Sequence, residues 1–201
     1  MAKLRFLYGA MASSKTLRLL ALAYEFQEKG IPFLVMKPSK DVRDGENVIK
    51  SRAGLERECI MIDSDVNLYQ AIKEANHILN LKSESLKWIL IDECQFLTEE
   101  QIDQLSDVVD YLGIDVMCYG LRTDFKSHLF PASKRLFELS DYIEEIKSSC
   151  TCGEYNASIN ARFDANNNII TEGTQILIGG DDVYKPLCRK CWKNKIKEVI
   201  K

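Results

Sequence analysis

Hydrophobic and polar residues alternate in two rhythms over roughly the first 120 positions. Leu4–Tyr8 is a short apolar run, and Thr16–Lys29 places apolar residues at helical spacing before stopping at Gly30. Pro32–Met36 reads as a second strand, and Cys59–Ile62 as another short apolar run. Val66–Leu81 fits a helix, Trp88–Ile91 a strand with no polar face, Thr98–Leu112 a helix and Asp115–Tyr119 a strand. Residues 38–58 are polar and carry no period, which predicts a long loop that orders on binding. Wholly apolar strands alternating with amphipathic helices predict an α/β fold. Its sheet is parallel and covered on both faces.

The texture changes near residue 148. Two cysteines follow, then Asn166-Asn167-Asn168, a short alternating run at Gln175–Ile178, Gly179-Gly180 and two more cysteines. The asparagines predict a hairpin tip, and Lys193–Lys201 a short basic helix. This divides the chain into a domain over 1–148 and a small β-rich module over 149–201. Against 27 Lys+Arg stand 30 Asp+Glu, and the net charge of −3 argues against a nucleic-acid backbone or an anionic membrane as the main partner. No apolar run is long enough to span a bilayer. The N-terminal apolar stretch is too short and too soon interrupted for a signal peptide, so the expected location is cytoplasmic.

The chemistry begins between the first strand and the first helix, at Gly9-Ala10-Met11-Ala12-Ser13-Ser14-Lys15-Thr16. This nearly fits the phosphate-loop pattern G-x-x-x-x-G-K-[ST], with Ser14 where glycine is usual. Successive backbone N–H groups and the helix N-terminus would surround phosphates. Lys15 would neutralise them, and the Thr16 hydroxyl would hold Mg²⁺. The alternative is a polar turn that happens to contain Ser-Lys-Thr. A second motif favours the phosphate reading. The apolar strand at Trp88–Ile91 ends in Asp92 and Glu93, which puts an acid pair at the carboxyl edge of a parallel sheet, where ligands bind. Asp92 then serves Mg²⁺ and Glu93 is a candidate general base for a substrate hydroxyl. The competing role is to cap the following helix.

Cys150-x-Cys152 and Cys188-x-x-Cys191 can form a tetrahedral four-thiolate site, a structural shell that zinc prefers. The module has few large apolar residues, so a metal would stabilise what its core cannot. The single residue between Cys150 and Cys152 makes Cys152 the weakest member of the set. Free buried thiols are the alternative. A redox pair at Cys188–Cys191 is disfavoured because no helix start is legible directly after a strand there.

Taken in order, these motifs resemble the type II thymidine kinases, over about residues 3 to 192. Gly9–Thr16 is similar to that family's methionine-containing phosphate loop. Asp41-Val42-Arg43, Ser51-Arg52-Ala53-Gly54 and Asp92-Glu93-Cys94-Gln95-Phe96 resemble its next signatures. Tyr119–Phe125 resembles the segment that closes over the nucleoside, and Gly173–Tyr184 the lasso that precedes the last cysteines. The resemblance implies a RecA-like P-loop fold with a zinc-binding lasso module, and transfer of a phosphoryl group from ATP to thymidine. Glu93 would be the base. Gly9 through Thr16, Asp41, Arg43, Asp92, Cys94 and Gln95 would serve ATP and Mg²⁺. Phe96, Leu121, Phe125 and Met11 would line the base pocket. Gln175, Ile176, Leu177, Ile178 and Gly179 would read thymine through backbone groups, with Tyr184 completing the pocket. Inhibition by thymidine triphosphate and a homotetramer are implied as well. Without the resemblance, Phe96, Phe125 and Phe130 read as core, and His77 and His128 earn no role. Two other functions remain open at this point: a P-loop ATPase whose zinc ribbon grips nucleic acid, and a non-catalytic nucleoside binder weakened by Ser14.

Overall fold

The computed structural model describes residues 1–41, 45–81, 84–175 and 183–199. In chain order the elements are β1 (Leu4–Tyr8), α1 (Lys15–Glu28), β2 (Phe33–Pro38), β3 (Val48–Lys50), β4 (Glu56–Glu58), β5 (Ile60–Ile62), α2 (Leu68–Asn80) and β6 (Trp88–Ile91). A single 3₁₀ turn (Cys94–Phe96) leads to α3 (Glu99–Leu112), β7 (Asp115–Gly120), α4 (Pro131–Leu139) and β8 (Tyr142–Glu145). The remainder is β9 (Ile159–Phe163), β10 (Ile169–Ile170), β11 (Tyr184–Leu187) and α5 (Arg189–Val199).

Six strands form one sheet in the order β5-β2-β6-β7-β1-β8, and every neighbouring pair is parallel. The alternation of side chains explains the layers. Leu4, Phe6, Ile89, Ile91, Val116 and Cys118 face α2, α3 and α4 in one core. Leu7, Leu90 and Tyr119 point the other way, onto Leu19, Leu20, Ala23 and Phe26 of α1. A sheet covered on both faces needs strands without a polar side, and Ile89, Leu90 and Ile91 are all wholly buried.

Two stretches differ from the sequence expectation. The region over 38–58 contains an antiparallel hairpin of β3 and β4, with Lys50 Nζ 3.2 Å from Glu56 Oε2. Its Ile49 is buried beneath it in the α1 core. Glu56-Arg57-Glu58 has no apolar residue and so gives no strand signal. Between residues 120 and 148, where no element was expected, lie α4 and the exposed edge strand β8.

The C-terminal module is a three-stranded antiparallel sheet, β10-β9-β11, packed against α5. The asparagine run is the expected tip: Asn167 N–H donates to the Asp164 carbonyl, and Asn167 sits at φ 62°. The last helix begins at Arg189, earlier than Lys193, and follows β11 with one residue between. A helix start therefore does lie directly after a strand at Cys188, which removes the argument raised against a redox pair there. The module's core of Cys150, Ala157, Ala161, Phe163, Ile169, Leu187 and Cys188 also takes in Ala10.

Candidate functional site

The order β6-β7-β1 brings the ends of β1 and β6 to one carboxyl edge, on either side of β7. From the end of β1 the chain turns through Gly9–Ser14 into α1. Gly9 N–H donates to the Gly120 carbonyl at 3.2 Å, which ties the loop to the end of β7. Ala12 and Ser14 both adopt left-handed backbone, at φ 62° and 63°. Ser14 is the residue before the helix, and its side chain makes no capping hydrogen bond. The left-handed conformation that favours glycine in this loop is thus present at Ser14, where a non-glycine residue costs about 1–2 kcal/mol.

Lys15 is buried, and its Nζ donates to the carbonyls of Gly9 (3.1 Å) and Ala10 (2.9 Å) and to Ser13 Oγ (3.3 Å). Thr16 Oγ1 donates to Asp92 Oδ2 at 2.8 Å. The loop and the acid strand, far apart in sequence, therefore meet. Burial, followed by the neighbouring Glu93 carboxylate, pushes the Asp92 carboxyl up to about 7, against the opposing pull of Thr16 and Lys15. A buried carboxylate beside a hydroxyl is a pair of hard oxygen donors, and this chemistry fits Mg²⁺.

Glu93 leaves the strand in left-handed backbone (φ 51°, ψ 35°) and starts the 3₁₀ turn. Its Oε2 accepts from Gln95 Nε2 at 2.5 Å. Gln95 Oε1 in turn accepts from the Leu121 backbone N–H at 2.9 Å. Cys94 is wholly buried in the core that holds Cys118. Asp41 is buried beyond β2, and its N–H donates to the Pro38 carbonyl.

The predicted pocket residues fall into two groups. Phe96 is half-buried and meets Phe130 edge-on, with ring centroids 6.2 Å apart. Phe125 is buried beneath the Arg162 guanidinium, which stacks 3.8 Å from its ring centroid. Met11 and Leu121 are half-buried. Gln175 Nε2 donates to Asp124 Oδ2 at 3.1 Å, and Tyr184 pairs with Arg162 across β11 and β9. Arg43, Ile176, Leu177, Ile178 and Gly179 lie outside the described residues.

Several polar residues in these contacts escaped the reading of the sequence. Asn160 is buried and its Oδ1 accepts the Met11 N–H at 2.7 Å. Arg162 is buried and donates to the carbonyls of Thr174 (3.1 Å) and Glu172 (3.3 Å). Both stand in Ile159–Phe163, a strand buried along its whole length. An asparagine and an arginine two apart in such a strand was the available signal. Lys37, at the end of β2, is also buried, with Nζ 3.2 Å from the Gly45 carbonyl.

The four module cysteines gather from the turn after β8 and the start of α5. Their sulfur atoms all lie within 4.8 Å of one another, Cys152 included. Zn–S bonds of about 2.3 Å imply S–S edges of about 3.8 Å, so this donor set can hold a zinc ion with a small contraction. Burial raises the Cys150 thiol, yet hydrogen bonds from Cys152 and Cys188 outweigh it and lower the group to about 6. Cys191 is raised to about 12, first by its hydrogen bond with Cys188 and then by burial.

Comparison with known proteins adds an independent line. The family model described as thymidine kinase matches residues 2–192. The thymidine kinase of Vibrio vulnificus strain YJ016 is 41% identical over 196 residues, covering 98% of this chain and 99% of that protein. That of Haemophilus influenzae strain 86-028NP is 41% identical over 199 residues, covering 99% and 100%. That of Mannheimia succiniciproducens is 42% identical over 195 residues, covering 97% of each.

Proposed function

Because the chain belongs to the thymidine kinase family, we propose that it transfers the γ-phosphate of ATP to the 5′-hydroxyl of thymidine. The contact between Thr16 and Asp92, with Glu93 next in the chain, carries this reading. A phosphate-loop lysine and a candidate base at one sheet edge support it. Glu93 accepts the proton of the 5′-hydroxyl as its oxygen attacks the γ-phosphorus. The bond from that phosphorus to the β–γ bridging oxygen breaks, and ADP leaves with those electrons. Lys15 and the backbone N–H groups from Gly9 to Thr16 hold the phosphates, with Asp41, Arg43 and Cys94 completing the nucleotide end. Thr16 and Asp92 would hold Mg²⁺, which would supply charge neutralisation at the phosphates. Met11, Phe96, Leu121 and Phe125 enclose the base. Gln175, Ile176 to Gly179 and Tyr184 read it from the lasso side, largely through backbone groups whose unpairing would reject a poorly matched base.

The same reading takes residues 1–148 as the kinase domain and 149–201 as the lasso module with a structural zinc. It includes thymidine triphosphate as feedback inhibitor, a homotetramer, and a cytoplasmic role in nucleotide salvage. The test is ADP release across a panel of nucleosides. Thymidine-dependent turnover is expected, and Glu93→Gln should lose at least about 100-fold in kcat while keeping its fold. An unimpaired variant would remove Glu93 from the base position. One observation favours a second reading, a weakened nucleoside binder: Ser14 holds its left-handed backbone without glycine. Calorimetric binding of thymidine and ATP with no product would select it.

A further inference from the structure

The geometry points to Gln95 as a positioning residue for Glu93, fixing the carboxylate in register with the end of β7; this rests on the kinase reading above. Gln95 is 2% exposed, and both ends of its amide are engaged. Its Nε2 donates to Glu93 Oε2 at 2.5 Å, and its Oε1 accepts the Leu121 N–H at 2.9 Å. A side chain so placed has little left to offer a phosphate, although it stands in the signature segment assigned to ATP. What it joins is the group that takes the proton and the segment that leads to Leu121 and Phe125.

Two features of the backbone support the assignment. Glu93 is a non-glycine residue in left-handed conformation, which needs surrounding contacts to persist. The Gln95 amide reaches back to Glu93 from within the turn that Glu93 begins. On the other side, Gly120 leaves the room that Gln95 occupies. A Cβ there would sit 2.7 Å from Gln95 Oε1 and 2.5 Å from Cys94 Sγ. The 3₁₀ turn and the end of β7 are thus fitted to each other around this one side chain. A base displaced by even an ångström loses much of its effect, because proton transfer requires hydrogen-bond reach.

The test is a kinetic split combined with a double-mutant cycle. Gln95→Leu removes both contacts. Gln95→Glu keeps the size and an acceptor for the Leu121 N–H, but replaces the donor to Glu93 with a second carboxylate. Both are expected to lower kcat by about 10- to 100-fold, with KM for ATP and for thymidine changed by less than about twofold. Placed on a Glu93→Gln background, either substitution should cost less than about twofold more, since the group it positions is already gone. If Gln95→Leu fails to fold, as judged by its thermal transition, Gln95→Glu carries the measurement alone. A rise in KM for ATP with kcat retained would overturn the proposal. Losses that multiply undiminished on the Glu93→Gln background would overturn it too. A wild-type protein that phosphorylates no nucleoside would overturn the kinase reading and this proposal with it, whereas an active wild type with either adverse result overturns the proposal alone.

Discussion

Ser14 carries a conformational cost without a visible return, because its side chain caps nothing. Replacing it with glycine should relieve about 1–2 kcal/mol of left-handed strain, offset by up to about 1 kcal/mol from the freer unfolded chain. The expected net gain for Ser14→Gly is about 0.5 kcal/mol, read by denaturant unfolding. Asp92 behaves in the opposite sense from a salt-bridged acid. Its folded-state pKa, about 7, lies above the ordinary carboxylate value, so the folded protein binds the proton more tightly than the unfolded chain does. Stability from this group is full below the ordinary value and is lost as pH rises towards about 7. Asp92→Asn should therefore gain stability relative to wild type as pH is raised from 5 to 8, measured by unfolding at both. The gain comes with loss of Mg²⁺-dependent nucleotide binding. Lys15, Thr16, Asp92 and Glu93 were legible because each follows from a local motif. Asn160 and Arg162 were not, since their importance lies in what faces them, Met11 in one case and Phe125 in the other.

Among the elements, α3 shows how local chemistry sets boundaries that a reader of the sequence can find. Thr98 accepts from the Gln101 N–H while the Gln101 side chain accepts from the Thr98 N–H, and Gly113 ends the helix at φ 68°. Thr98→Ala should cost about 1 kcal/mol, as a lost cap does, measured by thermal unfolding. The β6 strand was also legible, since four apolar residues between polar neighbours fit a strand buried on both sides. The hairpin β3–β4 was not, because its pairing depends on cross-strand contacts and leaves no alternation on Glu56–Glu58. The edge strand β8 is exposed along most of its length and so has no apolar face to announce it. Its place comes from parallel pairing with β1.

Across the whole molecule, one parallel sheet covered on both faces carries the candidate site at its carboxyl edge. Among the described residues, no helix is long and apolar enough to cross a membrane. The cysteine quartet joins the turn after β8 to the start of α5. With zinc held by the quartet, as proposed, a chelator should lower stability by at least about 3 kcal/mol, or about 10 °C in the unfolding midpoint. Four cysteines in two pairs made this site legible. The way it packs could not be read, because Ala10 gives no hint in the sequence that it belongs to a second core.

That placement of Ala10 has a consequence for the loop it belongs to. A wall of the cysteine-bound core is also a segment of the loop proposed to grip ATP, and Met11 is tied to the same core's strand through Asn160. With a metal in the quartet, as proposed, its removal would loosen that shared wall and with it the loop proposed to hold the donor's phosphates.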